Sequence, residues 1–147
     1  MENPFHYRNK AQYPLGINKN GEAVIGVFAN RTHEVIPMQK CLIQNIQSEE
    51  IAKFVLQFIK ENKISIYDEK TGNGLFRHIV IKVGIKTGQI MCILVVNGKS
   101  IPKEIQLKDE LLARFPRIKT IIKNINCQSL IFTCFWKSVR NNRKIRK

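Results

Sequence analysis

The stretch TGNGLFRHIVIKVGIKTGQIMCILVV, residues 71–96, decides the fold of this chain. Two runs rich in β-branched and other apolar residues, Leu75 to Val83 and Gln89 to Val96, flank a Thr-Gly turn, a pattern that predicts a β-hairpin. Strict alternation along the first strand would place Arg77 on one face, with Leu75, Ile79, Ile81 and Val83, and His78 on the other, with Phe76, Val80 and Lys82. Neither face of that strand is therefore purely apolar.

The Arg77-His78 pair has two interpretations. Both residues lie near the start of the strand, where a polar strand end commonly reaches solvent without serving any function. Alternatively, the guanidinium and the imidazole project from a rigid strand towards the phosphates or bases of a nucleic acid. The residues alone leave both interpretations open.

Upstream of the hairpin, the sequence predicts three further strands. The first covers Tyr7 to Tyr13 and is expected to end at Pro14. A turn over Asn18 to Gly21 leads into the second strand, Ala23 to Ala29, and the short run Val35-Ile36 supplies the third. This part of the chain is expected to be a hairpin with a short added strand.

Two helices and a last strand complete the prediction. Ser48 offers an N-cap for a helix over residues 48–61, whose apolar side chains recur at helical spacing. A second helix is expected to end before Pro116, and residues 118–125 form the final strand. The expected architecture is α+β, an antiparallel or mixed sheet of about five to six strands with two main helices packed on one face.

The chain is strongly basic. It has 147 residues, with 25 Lys and Arg against 11 Asp and Glu, and its formal net charge is +14. This exceeds what solubility alone would favour and indicates a polyanionic partner, such as ribosomal RNA, transfer RNA, DNA or an anionic membrane surface. An adaptor for acidic proteins or membranes is a further possibility that rests on charge alone.

Cysteine usage and hydropathy predict a cytoplasmic protein that does not enter a membrane. The four cysteines form no C-x-x-C pair, and the start MENPFHYRNK lacks the apolar core of a signal peptide. The longest apolar run near the end, SLIFTCFW, is much shorter than the roughly 20 residues that a membrane-spanning helix needs.

The segment YDEKTGNGLFRHIVIKVGIKTGQIMCILV, residues 67–95, resembles a signature of the bacterial RNA uracil-5-methyltransferases. The family wording is close to YDE-x-TG-x-G-x-LRH followed by R-x-G-x-x-TGE, and here Phe76, Lys82 and Gln89 stand at the usual Leu, Arg and Glu positions. Three other blocks keep the family order: HYRNKAQYPLG, GVFANRTHEVIPMQKCLIQ and FPRIKTIIKNIN. The resemblance therefore spans residues 6–126.

The resemblance implies a three-part enzyme. The family has an oligonucleotide-binding barrel, a central α+β domain that helps hold ribosomal or transfer RNA, and a Rossmann-like domain that binds S-adenosylmethionine. A cysteine thiolate attacks uracil C6, and a carboxylate base removes the C5 proton after methyl transfer. This chain resembles only the central domain, which is expected to cover residues 1–126. Residues 127–147 read as an atypical basic tail, for which two interpretations stay open: the product of a frameshift or truncation, or a natural basic tail that clamps phosphates.

The catalytic segments of the family have no counterpart here. The chain has neither a glycine-rich cofactor turn nor a Ser-Cys-Asn-Pro nucleophile segment, and Cys127 and Cys134 lie in unlike surroundings. We therefore expect no catalytic residue, no bound cofactor and no methyl transfer by this chain alone. A stand-alone basic RNA-binding module without catalysis is the alternative, and it requires the basic tail to be functional.

Six residues are candidates for a functional site. Arg8 and Lys10 are interleaved with aromatic and polar residues, as in many RNA-binding segments, although a solvated edge strand would look the same. Cys41 matches the position that supplies the fourth thiolate of a four-iron, four-sulfur cluster in some family members, and without the three upstream cysteines it is expected to be an orphan ligand and an ordinary thiol. The predicted RNA contacts are Arg8, Lys10, Arg77, His78 and Lys82.

Overall fold

The computed structural model describes residues 4–31, 34–38 and 40–127, together with the backbone of strand 135–139. These residues form seven strands and two helices in a mixed sheet of order β3-β2-β1-β4-β5-β6-β7. The predicted α+β class is confirmed, with more strands than expected. The elements are β1 Lys10–Ile17, β2 Ala23–Phe28, β3 Val35–Pro37, α1 Ile46–Glu61, β4 Phe76–Val83, β5 Ile90–Val96, α2 Glu104–Arg114, β6 Ile118–Ile125 and β7 Phe135–Val139.

Both helices contribute to one core against the same face of the sheet. Strands β1, β4, β5 and β6 supply the floor, and all neighbouring pairs are antiparallel except β5 and β6, which α2 connects in parallel. Among the described residues, neither helix is long and apolar enough to cross a bilayer. The largest fully buried side chains of this core include Tyr13, Ile51, Ile59, Phe76, Leu107 and Leu111.

Strand β1 begins and ends later than predicted. Pro14, expected to close the strand, lies inside it and stands opposite His78 in the β1–β4 register. One residue further on, Leu15 already pairs with Ile25 of β2. Because proline has no N–H to donate, it suits the point at which a strand leaves one partner for another.

Helix α1 starts two residues earlier than predicted. Asn45 is the N-cap, and its side-chain oxygen accepts a hydrogen bond from the Gln47 N–H at 3.0 Å. Ser48, predicted as the cap, is fully buried in the first turn. The helix otherwise follows its predicted apolar stripe, and the second helix and the final strand also lie where the sequence placed them.

Strand β7 was not predicted. It pairs antiparallel with β6, from Ile121 opposite Val139 to Ile125 opposite Phe135. Residues 128–134 and 140–147, including Cys134 and most of the predicted basic tail, lie outside the described residues. Part of the segment after residue 126 therefore extends the sheet.

Candidate nucleic-acid interface

A β-bulge at the start of β4 sets the orientation of the Arg77-His78 pair. Phe76 pairs with Val96 and His78 pairs with Val95, which leaves Arg77 as an extra residue in the ladder. A bulge of this kind interrupts strict alternation. Phe76 consequently joins the core under the helices, so the prediction that it shares a face with His78 is wrong.

Contacts with Glu69, Asn126 and Tyr67, all within the part of the chain that the structure describes, hold the Arg77 side chain in place. Its side chain is only 7% exposed, and Nη2 donates to the Glu69 carboxylate at 2.7 Å. Nη1 donates to the Asn126 carbonyl at 3.2 Å, and the guanidinium lies 4.2 Å from the centroid of the Tyr67 ring, a cation–π distance. Both interpretations of the sequence assumed that this side chain projects outward, but in the structure it does not project freely towards solvent. Its contact with RNA stays a prediction.

His78 is a partly buried, neutral ring. Its centroid lies 6.0 Å from that of Phe28 in an edge-to-face arrangement. Burial lowers the pKa of His78 and the positive charge of Arg77 lowers it further, against a weaker opposing effect of Glu69. Nδ1 is buried without a hydrogen-bond partner among the described residues. At neutral pH the ring therefore offers an aromatic surface and a hydrogen-bonding atom rather than a positive charge.

Arg77 and His78 line a cavity of about 550 Å³. It lies between the β2–β3 part of the sheet and the loop that precedes β4. Equal numbers of acidic and basic side chains surround it, so the cavity is close to electrically neutral if all of them are charged. Its aromatic members are Phe28, Tyr67 and His78, its acidic members are Glu34, Asp68 and Glu69, and its basic members are Lys19, Lys70 and Arg77.

The loop before β4 owes its shape to the motif that carries the family resemblance. The Asp68 carboxylate accepts hydrogen bonds from the Lys70 N–H at 2.9 Å and the Thr71 hydroxyl at 3.2 Å. Gly74 has a φ of +106°, and a Cβ there would collide with the Ile66 carbonyl oxygen. The acidic positions of the motif therefore line one wall of the cavity, and Gly74 allows the close backbone approach that shapes the loop.

The other predicted residues of the central strands lie at the far end of β4. Lys10 and Lys82 stand directly opposite each other in the β1–β4 register, and both are exposed. Cβ atoms of such pairs are about 5 Å apart, and like charges at this position destabilise a sheet. Neither lysine has a carboxylate partner among the described residues. The pair thus concentrates positive charge that an external anion could neutralise.

Arg8 lies just outside this ladder. It was predicted inside the first strand, but β1 begins at Lys10, and Arg8 instead forms an isolated parallel bridge with Gln44. Its N–H donates to the Ile43 carbonyl at 2.9 Å, and the residue is exposed. Arg8 is therefore close in sequence to the lysine pair, but the segment before α1 holds its backbone.

The carboxylates are segregated from the sheet. None of the described strands contains Asp or Glu, whereas the two helices, on the other side of the core, hold six. On the helix-free face, the strand surface around Lys10 and Lys82 is therefore where a polyanion would meet least repulsion, whereas the loop carboxylates Glu34, Asp68 and Glu69 line the cavity near the other end of β4. The helical carboxylates are Glu49, Glu50, Glu61, Glu104, Asp109 and Glu110.

The lysine pair and the cavity share this helix-free face. Lys82, Val80 and His78 alternate along β4 on the side away from the helices, and Val80 belongs to a small separate apolar cluster there. Lys82 lies four positions after His78 along an extended strand, which corresponds to about 13 Å. The predicted residues therefore form two neighbouring subsites rather than one cluster.

The described cysteines do not cluster with other metal-binding side chains. Cys41 is a free, half-buried thiol before α1, and no group of three or more His, Cys, Asp or Glu side chains in the described ranges could hold a metal. Because a four-iron cluster needs four ligands, Cys41 alone does not fit one, and its role as an orphan ligand stays a prediction. Burial raises the pKa of Cys92 to about 12, so its thiolate is not available near neutral pH.

The structure adds three residues that the sequence argument did not single out: Phe28, Tyr67 and Glu69. All three lie in segments that carry the family resemblance, and this was the sequence feature that could have pointed to them. The spacing of residues along the sequence could not show that they line one cavity with Arg77 and His78, because Phe28 comes from a strand that is distant in sequence.

No protein-family model matches the chain. Over 126 residues, 86% of its length, the chain is 42% identical to a protein of Caldanaerobacter subterraneus subsp. tengcongensis named an uncharacterized RNA methyltransferase. Proteins with the same description in Staphylococcus aureus strain COL and Staphylococcus epidermidis are 39% and 40% identical over equally long stretches. The chain spans 28% of the length of each of these relatives.

The fold is similar to part of a solved enzyme structure. This is the Pyrococcus abyssi tRNA (uracil-54, C5)-methyltransferase in complex with S-adenosyl-L-homocysteine, with a TM-score of 0.68 and 22% sequence identity. The likeness covers 93% of this chain and 31% of that enzyme. At this identity the likeness shows a shared fold. The chain is thus similar in sequence to less than a third of each protein named an RNA methyltransferase, and similar in fold to less than a third of a tRNA methyltransferase.

Proposed function

We propose that this chain is the RNA-holding central domain of an RNA (uracil-5-)-methyltransferase that acts on ribosomal or transfer RNA. The observation that carries the proposal is the exposed Lys10–Lys82 pair, which lies on a sheet face whose strands contain no carboxylate. The 42% identity to a protein named an RNA methyltransferase supports RNA as the polyanion concerned.

In this proposal the domain positions RNA and another part of the parent enzyme transfers the methyl group. Contacts to phosphates fix the register and orientation of a nucleic acid on a protein. Lys10 and Lys82 belong to adjacent strands of one sheet, so their backbones hold the two charges at a fixed spacing. The S-adenosylmethionine site, the catalytic thiolate and the remaining ligands of any iron–sulfur cluster would belong to other segments of the parent.

The salt dependence of RNA binding tests the proposal. The probe is a fluorescein-labelled oligouridine of 12 nucleotides, titrated with the full chain at several potassium chloride concentrations. Each phosphate contact to a single strand contributes about 0.7 to the slope of log K against log salt. The double substitution Lys10→Ala with Lys82→Ala should therefore flatten the slope by about 1.4.

A matched control removes the same number of charges from the helices. Lys60→Ala with Lys108→Ala lowers the net charge equally but leaves the lysine pair intact, and its slope should stay close to that of the unmodified chain. Equal flattening by both double variants would show that total charge, not this pair, holds the RNA. Absence of RNA binding by the unmodified chain at low salt would contradict the proposal.

The pairing of β7 with β6 favours a second candidate, a stand-alone basic RNA-binding module. Under this alternative the segment after residue 126 belongs to the working protein. Deletion of Cys127 to Lys147 should then sharply reduce RNA affinity, with circular dichroism as the check that the rest stays folded. Unchanged affinity in a folded deletion variant would favour the central-domain proposal.

A further inference from the structure

We propose that the cavity beside Arg77 and His78 binds an unpaired base of single-stranded RNA. This inference rests on the proposed RNA-binding function and adds to it the place where a base would be held. The chemical class of ligand is thus a single nucleobase whose ribose and phosphate stay outside the cavity.

The cavity has the size and lining that a base requires. Its volume of about 550 Å³ falls within the range typical of small-ligand sites. Proteins commonly recognise unpaired RNA bases by stacking them on aromatic rings and by hydrogen bonds to their edges. Phe28 offers the stacking surface, since 41% of it is exposed, and the partly buried His78 ring lines the same cavity.

The charge of the cavity selects a base over a phosphate. Glu69 neutralises Arg77 at 2.7 Å, and the Glu34 and Asp68 carboxylates would repel an anion that entered. Lys19 and Lys70 are exposed, where they can meet the phosphates that flank the bound base. A neutral base inside the cavity avoids the carboxylates, and phosphates outside it can contact the two exposed lysines.

The walls of the cavity are organised before any ligand arrives. Arg77 is fixed between Glu69, Tyr67 and the Asn126 carbonyl, and the Asp68 turn shapes the adjoining loop. A site held in its binding geometry loses less conformational entropy when a ligand binds. The Arg77 side chain in this view positions the wall, while Phe28 and His78 touch the base.

The position of the cavity lets one RNA strand use both subsites. His78 and Lys82 lie on the same face of β4, about 13 Å apart along the strand. A single strand with its phosphates at the lysine pair could therefore place a nearby base in the cavity. Duplex RNA presents no unpaired base and should not use it.

Substitution of Phe28 provides the test. Phe28→Ala removes the exposed ring, and Ile36→Ala is the matched control, because Ile36 is an exposed apolar residue of the neighbouring strand that does not line the cavity. The loss of one base–aromatic stack should weaken binding of the labelled 12-nucleotide oligouridine roughly five-fold to a hundred-fold. Ile36→Ala should change the affinity less than about two-fold, since it removes no stacking ring, and Phe28→Trp should retain it.

An abasic oligonucleotide of the same length separates base binding from phosphate binding. It carries the same phosphates without bases, so Phe28→Ala and the unmodified chain should bind it equally. If Phe28→Ala binds oligouridine as well as the unmodified chain does, or if it loses the same affinity for the abasic strand, the cavity proposal is overturned while RNA binding stands. If the unmodified chain binds neither strand, the proposed function fails as well.

Discussion

The ion pair between Arg77 and Glu69 is the clearest place to test how this fold accommodates a charge near its core. Glu69→Gln removes the negative charge and keeps nearly the same side-chain shape. The amide oxygen introduced by this substitution could still accept a hydrogen bond from the guanidinium, and the Tyr67 and Asn126 contacts of Arg77 would stay in place. The substitution therefore measures the charge itself.

The expected loss follows from the exposure of the two partners. Breaking a fully buried ion pair by removing one partner typically costs about 3–5 kcal/mol. Arg77 is 7% exposed but Glu69 is 23% exposed, so water screens part of the uncompensated charge. With one hydrogen bond retained, we expect Glu69→Gln to lower the free energy of unfolding by about 1–2 kcal/mol.

Urea denaturation followed by circular dichroism measures this change. The control is Asp109→Asn, which makes the same chemical change at a 3.3 Å pair whose carboxylate is 64% exposed. Exposed pairs contribute about 0–1 kcal/mol, so we expect a loss of less than about 0.5 kcal/mol for the control. If Glu69→Gln costs no more than Asp109→Asn, the reasoning that Arg77 depends on Glu69 is refuted.

Two further predictions concern His78 and the glycines of the β2 region. The folded protein lowers the pKa of His78, so the unfolded chain binds a proton at this residue more readily than the folded chain does. The stabilising effect of a neutral His78 is therefore complete above pH 6.5 and is lost as the pH falls through the folded-state pKa. Between about pH 7.5 and 5, the unmodified chain should lose more stability in urea titrations than His78→Phe, and equal losses would contradict the assignment. Gly26→Ala would drive a Cβ into the Ile36 carbonyl and disrupt the β2–β3 pairing, whereas Gly21→Ala meets open space and costs only the strain of its φ of +80°, about 1 kcal/mol. Thermal denaturation should show a clearly larger fall in Tm for Gly26→Ala, and similar falls would count against the close approach.

Local pattern was sufficient where local physics decides the structure. The apolar spacing of α1 predicted which side chains enter the core, because a helix repeats its face at a period set by its own geometry. The same holds for β6, whose bounds agree with the prediction. The predicted boundaries of β1 were wrong, because the strand changes its pairing partner from β4 to β2 after Pro14. The local sequence does not specify which strands pair with it.

By itself, the sequence determined the fold class, the two helices, most of the strands, the basic character and the family resemblance, since all of these follow from composition and short-range order. Only the tertiary structure decided where the Arg77-His78 pair lies and which residues it contacts. The bulge at Arg77 moves Phe76 into the core, and long-range contacts bring Glu69, Phe28 and the Asn126 carbonyl around the pair. Ladder register and the meeting of residues distant in sequence depend on the packing of the whole sheet, which no window of neighbouring residues contains.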